Sequence, residues 1–217
     1  MGIEPIEGVE HSRAFYLPNQ EAAGPYAVGQ YAAVSSRSQA ELGPLSGAGL
    51  ALSLIWRLLI VGLTGYVLVD FIVTGAPLLA FLQFSVLQVV LAFIVYVLAV
   101  LRPIIGKDSR DRLEGPVGWA RGMAVTYSIA TMAVVTFLMG GWDSRPIWNV
   151  IHYAIPVALL IDWLFVGRNQ ERLPKAMPLL WLLPMVGYLG VYLALAVNGS
   201  VLYGFLDPAY SDFWLFV

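Results

Sequence analysis

The chain has 217 residues, of which 59% are hydrophobic and only 12% charged, and its formal net charge is −2. Soluble domains carry about twice that share of charged residues, so this composition indicates an integral membrane protein. The lack of cysteine excludes disulfides, thiolate metal sites and cysteine nucleophiles, and two histidines are too few for a multi-histidine metal or haem site. No block of basic residues stands out, so we expect no nucleic-acid partner, and no metal or other cofactor is implied.

Residues 1–46 form a polar tail that is rich in Ala, Gly, Ser and Glu and contains four prolines. The tail has no sustained apolar period, so we expect it to be disordered or to dock on a partner protein. Its acidic start, with Glu4, Glu7 and Glu10, differs from the basic segment and apolar core of a signal peptide. The remaining residues, 47–217, are predicted to form the membrane domain.

Five apolar stretches follow, and each has the roughly 20 residues that a helix needs to cross a hydrocarbon core of about 30 Å. Lipid offers no hydrogen-bond partner to an open backbone, so each stretch must be helical. The stretches lie at about 49–73, 77–101, 116–139, 147–167 and 177–197. Their short connections predict an all-α polytopic membrane protein, an antiparallel bundle of five transmembrane helices.

The segment after residue 197 turns at Gly204 and Asp207-Pro208 and ends on an aromatic stub, 213–217, that is too short to span a bilayer. Trp and Tyr favour the headgroup level, so we expect this stub to lie in the membrane interface. The stub also resembles the beginning of a sixth helix that is missing.

The basic residues of the loops predict the orientation of the bundle. Two basic loops, 102–115 and 168–176, fall at the same end of an antiparallel bundle and contain Arg102, Lys107, Arg110, Arg112, Arg168, Arg172 and Lys175. Lys and Arg concentrate in cytoplasmic loops. We therefore expect a multi-pass protein of the cell membrane, with the amino terminus in the cytoplasm and the carboxyl terminus outside.

Two charged side chains interrupt the helices near the predicted cytoplasmic end. An ionisable group within a span costs roughly 2.5–3.5 kcal/mol on insertion scales, so each needs a physical explanation. Arg57 lies about two turns into the first helix, where its long side chain can reach the interface. Asp162 lies near the end of the fourth helix, and we expect it to form a structural ion pair with Arg57 or Arg168.

His152 lies about a turn and a half below the outer end of the fourth helix. Asn149 precedes it by three residues and shares its helix face. Pro156 cannot donate a main-chain hydrogen bond, which frees the carbonyl of His152, and a kink there would open a polar cavity beside the ring. Asp70 lies at a comparable depth in the first helix and is expected to orient the imidazole.

Ser85 and Gln88 lie three residues apart on one face of the second helix, in its outer half. A serine whose proton is taken by a neighbouring imidazole is a nucleophile, so Ser85 and His152 are the candidate catalytic pair. Asn149 or Gln88 would stabilise the oxyanion through a side-chain donor. The alternative is that these polar side chains only join helices by hydrogen bonds.

A Trp-Asn-x-x-His segment, a proline one turn later and an Asp-Trp pair occupy residues 148–163, and a Phe-Leu-Asp-Pro turn follows at 205–208. This pattern resembles the bacterial membrane-protein family called Pr-six-Pr. That family is distantly similar to the androgen-induced and androgen-dependent membrane hydrolases, which cleave fatty acid esters of hydroxy fatty acids with an intramembrane threonine and histidine. The resemblance implies that His152 is the catalytic histidine and that Ser85 stands where the threonine is expected. The asparagine expected shortly after it is replaced by Val89.

Two functions remain open at this point, and whether the protein is an enzyme is not decided. The first is an intramembrane hydrolase of lipid or fatty-acid esters whose substrate enters sideways from the bilayer. The second is a non-catalytic accessory subunit of a larger membrane complex, which contacts other subunits through the amino-terminal tail and binds partners, lipid or pigment. The replaced asparagine and the missing sixth helix favour the second, and a transporter is a weaker third.

Overall fold

A computed structural model describes residues 47–105, 118–167 and 173–207. Five helices in this part of the chain are long and apolar enough to cross a membrane: α1 (Gly47–Val73), α2 (Phe84–Ile105), α3 (Gly118–Leu138), α4 (Pro146–Val166) and α5 (Met177–Val197). The prediction of an all-α polytopic membrane protein is therefore confirmed. The predicted tail at 1–46 and the aromatic stub at 213–217 lie outside the described residues.

The helices are apolar on both their inner and outer faces. The core where α1 to α4 meet is built from small and branched side chains: Ile60, Val67, Val89, Ala92, Ala124, Ile155 and Leu159. Large apolar side chains cover the outer faces, among them Leu52, Ile72, Phe137, Phe165 and Leu183. Such an extensive apolar surface would be unfavourable in water and is suited to contact with lipid.

Contacts between helix ends show that α1 to α4 alternate in direction. Arg57, early in α1, and Arg121, early in α3, both meet Asp162 near the end of α4. We call this the charged end of the bundle. At the other end, Phe71 of α1 packs against Phe81, which precedes α2, with ring centroids 5.8 Å apart. We call it the histidine end, because α4 begins there and carries His152 a short way in.

The second helix begins later than the sequence indicates. The pattern predicts a helix over 77–101, but Leu78–Leu82 form a 3₁₀ turn, Gln83 is extended, and α2 runs from Phe84 to Ile105. The main-chain N–H of Phe84 donates to the hydroxyl of Tyr203 at 2.6 Å, which satisfies one of the open donors of the first turn. A tertiary contact across 119 residues thus caps α2 at this point. The other four helices begin and end within two residues of the expected positions.

Two π turns interrupt α4, one at Val150–Ala154 and one at Asp162–Val166. In the first, the N–H of Ile155 bonds to the carbonyl of Val150, five residues back. In the second, the N–H of Gly167 bonds to the carbonyl of Asp162 at 2.7 Å. Such turns inside α-helices occur often at functional positions. In this helix they contain two of the polar residues that the sequence singles out, His152 and Asp162.

The fifth helix is the least covered by the rest of the protein. Its first turns are held against α3, where the hydroxyl of Tyr127 donates to the carbonyl of Trp181 at 2.8 Å. The Trp181 ring lies so close to α3 that a Cβ on Gly122 would come within 2.2 Å of it. Only a glycine at position 122 permits this approach without a shift of the ring.

Candidate functional site

His152 lies at the histidine end with only 4% of its surface exposed. Its Nδ1 is 2.9 Å from the carbonyl oxygen of Trp148, and the two rings are in contact with centroids 4.1 Å apart. A carbonyl can only accept, so Nδ1 carries the proton of the neutral ring. Nε2 therefore has a lone pair, and no described residue forms a hydrogen bond with it. This tautomer is the one that a general base needs.

The loop before α4 is fixed to the first turn of the helix by Asn149. The side-chain oxygen of Asn149 accepts from the N–H of Asp143 at 3.2 Å, and its nitrogen donates to the carbonyl of Asp143 at 2.6 Å. Asp143 also forms an exposed ion pair with Arg145, whose guanidinium lies over the ring of Trp148. Asn149 thus positions the loop above His152, and its amide is engaged there rather than free to bind an oxyanion.

Asp70 does not orient the imidazole. No hydrogen bond joins Asp70 to His152 among the described residues, and the carbonyl of Trp148 takes the role expected of the carboxylate. The reason is local: the carbonyl four residues before His152 in the same helix lies within reach of its ring, so no partner from another helix is needed.

Ser85 is buried at the beginning of α2, with 8% of its surface exposed. Its hydroxyl and main-chain N–H lie within hydrogen-bonding reach of the phenol oxygen of Tyr203. Within the described part of the chain, no hydrogen bond joins Ser85 to His152. The structure therefore places the two candidate catalytic residues at the same end of the bundle but does not pair them.

Gln88, one turn beyond Ser85, is buried at the contact between α2 and α3. Its Oε1 lies 2.6 Å from the hydroxyl of Ser128, while its Nε2 has no hydrogen-bond partner among the described residues. Ser128 also lies 2.9 Å from the carbonyl of Ala124, and its single proton serves one of the two acceptors. Whichever way the amide is turned, one polar atom of Gln88 remains unpaired, which is unusual at a fully buried position.

The charged end holds a second polar cluster, which is closed to solvent. Asp162, Arg57 and Tyr96 are completely buried, and Arg121 is 1% exposed. One carboxylate oxygen of Asp162 receives Arg121 Nη2 at 2.6 Å and the Tyr96 hydroxyl at 2.8 Å, and the other receives Arg57 Nε at 3.4 Å. This cluster links four helices, and its burial suits a structural role.

The cluster corrects one expectation and extends another. Arg57 does not extend to the interface as expected, because the carboxylate of Asp162 provides a partner inside the bundle. The ion pair predicted for Asp162 is present, but sequence reasoning missed Arg121 and Tyr96. Arg121 could have been found, since alternating helices bring the start of α3 to the end of α4. Arg168, the other partner considered, lies outside the described residues.

The phenol of Tyr203 is the polar group at the histidine end that sequence reasoning missed. Burial raises the pKa of this phenol above its ordinary value, so it is protonated at neutral pH. Among the described residues, no three His, Cys, Asp or Glu side chains lie close enough together to hold a metal ion. Comparison of the chain with protein-family models, with curated proteins and with solved structures gives no match.

Proposed function

We propose that the protein is an intramembrane hydrolase of lipid or fatty-acid esters. The observation that carries this proposal is the setting of His152: its ring is buried, and Nδ1 lies within hydrogen-bonding distance of the carbonyl of Trp148. In the neutral imidazole, that contact places the proton on Nδ1 and leaves the Nε2 lone pair available as a base. The resemblance to the Pr-six-Pr family assigns the same histidine to catalysis.

In the proposed reaction, Ser85 Oγ attacks the ester carbonyl carbon while Nε2 of His152 accepts its proton. Collapse of the tetrahedral intermediate breaks the ester C–O bond, and the leaving alcohol takes that proton from His152. Water then attacks the acyl-serine and gives a proton to His152. The acid is released and Ser85 recovers its hydrogen. Nε2 thus acts as a base and then as an acid in each half of the cycle.

Ser85 must turn toward His152 before this chemistry can begin. Catalytic hydrogen bonds are often long or poorly aligned in unliganded enzymes and tighten in the complex with substrate, so the lack of a hydrogen bond between Ser85 and His152 is compatible with the proposal. Gln88 supports it further, because its buried amide has a polar atom free to bind substrate. An amide nitrogen turned toward the reacting carbonyl would stabilise the oxyanion.

An ester with a long acyl chain is the substrate class that this setting favours. The outer faces of the helices are apolar, so an acyl chain can approach the bundle from the bilayer without crossing water. We also propose that the charged end faces the cytoplasm, because the basic loops follow α2 and α4 at that end. His152 and Ser85 then lie in the outer half of the cell membrane.

The second candidate is the non-catalytic accessory subunit. One observation favours it: the hydroxyl of Ser85 lies within hydrogen-bonding reach of Tyr203, as that of a packed polar residue would. The amino-terminal tail would then contact the other subunits. This reading predicts that Ser85 has no reactivity beyond that of an ordinary buried serine.

Fluorophosphonate labelling of the purified full-length protein distinguishes the two candidates. We expect the wild type to be labelled and both Ser85→Ala and His152→Ala to lose the label, since one removes the nucleophile and the other its base. Ser53→Ala is the matched control, because Ser53 is buried to the same extent in α1. Labelling that persists in Ser85→Ala, or a wild type that stays unlabelled beside a reactive control hydrolase, would contradict the proposal.

A further inference from the structure

The phenol oxygen of Tyr203 lies at the point where α2 begins. It accepts the N–H of Phe84 at 2.6 Å, and the N–H and hydroxyl of Ser85 lie within hydrogen-bonding reach. The hydroxyl of Tyr188 reaches the same oxygen from α5. The side chain of Tyr203 thus contacts the proposed nucleophile, and it takes no part in the proposed reaction.

The segment that carries Tyr203 is fixed in place at both ends of its turn. The hydroxyl of Tyr192, in α5, lies 3.3 Å from the carbonyl of Tyr203 and 2.5 Å from the carbonyl of Leu206. The rings of Tyr192 and Tyr203 also pack together, with centroids 5.9 Å apart. Tyr188 secures the approach to α2 by donating to the carbonyl of Leu82 at 3.0 Å. The contact between Tyr203 and Ser85 is therefore built into the fold.

We infer that Tyr203 is a positioning residue that holds the Ser85 hydroxyl in a rotamer turned away from His152. This inference rests on the proposed function. A serine hydroxyl has three staggered positions, and the one that meets Tyr203 leaves Ser85 without a hydrogen bond to the imidazole. The phenol must release the hydroxyl before Ser85 can transfer its proton to Nε2. Tyr203 thus restrains the nucleophile until substrate displaces the contact.

The test is the rate of fluorophosphonate labelling of the full-length protein with Tyr203→Phe, which removes the phenol oxygen and keeps the ring. We expect labelling roughly two- to twelve-fold faster than in the wild type, the rate equivalent of one net hydrogen bond of about 0.5–1.5 kcal/mol. The double variant Tyr203→Phe with Ser85→Ala should not be labelled. Tyr188→Phe is the matched control, since it removes a neighbouring phenol and leaves Tyr203 in place.

The pH profile of labelling separates positioning from a structural effect. Because His152 remains the base, the midpoint of the profile should be the same in the wild type and in Tyr203→Phe, and only the plateau should rise. A loosened fold would instead lower the plateau or shift the midpoint. If Tyr203→Phe does not fold, Tyr203→Leu gives a second comparison, because it also lacks the phenol oxygen, although it loses the ring packing against Tyr192 as well.

Each outcome decides a different question. A wild type that is labelled, with Tyr203→Phe equal or slower, overturns the role of Tyr203 and leaves the hydrolase standing. If neither protein reacts beside a labelled control hydrolase, the proposed function fails, and the role of Tyr203 fails with it because there is no nucleophile to restrain.

Discussion

Replacing Asp162 by asparagine should destabilise the protein severely, because the change removes one charge from a closed cluster. Four contacts end on the carboxylate oxygens: two from Arg121 at 2.6 and 3.1 Å, one from Tyr96 at 2.8 Å and one from Arg57 at 3.4 Å. Asparagine has one acceptor oxygen, so its nitrogen must face a donor. If the oxygen keeps Arg121 and Tyr96, the nitrogen meets the N–H of Arg57.

The magnitude follows from the burial of the partners. Removing one member of a buried ion pair costs about 3–5 kcal/mol, and Asp162 and Arg57 are both completely buried. The free energy of unfolding of a folded protein is typically only about 5–15 kcal/mol, so a loss of this size is a large part of the total. We expect Asp162→Asn to raise the ratio of unfolded to folded protein between about a hundredfold and a few thousandfold.

The assay is reversible unfolding in mixed micelles by sodium dodecyl sulfate, followed by circular dichroism and by tryptophan fluorescence. Trp163 is a suitable reporter because the guanidinium of Arg121 lies 5.9 Å from its ring. Tyr96→Phe is the control, since it removes one contact of the four and leaves both arginines paired with Asp162. It should cost about 1.5–3 kcal/mol. The reasoning is refuted if Asp162→Asn costs no more than Tyr96→Phe.

Two further predictions concern the histidine end. Ser128→Ala should destabilise the protein by about 1–3 kcal/mol because it leaves the Gln88 amide without its partner, whereas Ser128→Ala with Gln88→Met should be nearly neutral. Unfolding measurements on both variants check this, and a double variant less stable than the single one would contradict it. Hydrogen bonds from Arg145 lower the pKa of Asp143 from 3.8 to about 2, so this pair stabilises the loop above about pH 4 and the stabilisation is lost as the pH falls toward 2. Arg145→Gln should flatten that part of the stability profile, and an unchanged slope would show that Asp143 is not the group responsible.

The helices could be predicted because lipid imposes one rule on every span: a long apolar stretch must satisfy its backbone internally. The beginning of α2 could not be predicted in this way, because the hydroxyl that accepts the N–H of Phe84 belongs to Tyr203, 119 residues away. Hydropathy records only how apolar each residue is, and residues 77–83 are as apolar as a helix. A cap supplied from another part of the fold leaves no local signal.

The candidate site was also predictable only in part: its conspicuous residues could be identified from the sequence, but most of their contacts could not. The sequence identified His152 and Asp162 because polar side chains are rare within spans, so each was conspicuous against its neighbours. The sequence did not predict most of the groups that His152 and Asp162 contact. His152 is oriented by the main-chain carbonyl of Trp148, one turn earlier in its own helix, and no side-chain pattern encodes that contact. Tyr203 was missed because a tyrosine near a helix end is ordinary in a membrane protein.

The cluster around Asp162 has a consequence for the order in which the membrane receives the chain. Synthesis proceeds from the amino terminus, so α1 and α3 bring Arg57 and Arg121 to the bilayer before α4 exists. Before α4 is made, the two guanidinium groups cannot pair with the carboxylate of Asp162. Their long side chains allow the charged groups to reach the membrane interface, where water solvates them. Once α4 has been inserted, its carboxylate is available to both, and in the folded structure both pair with it inside the bundle. The fourth helix thus completes the assembly of the first three, and a ribosome that stalls before residue 162 should leave a loosely associated product that quality-control proteases recognise.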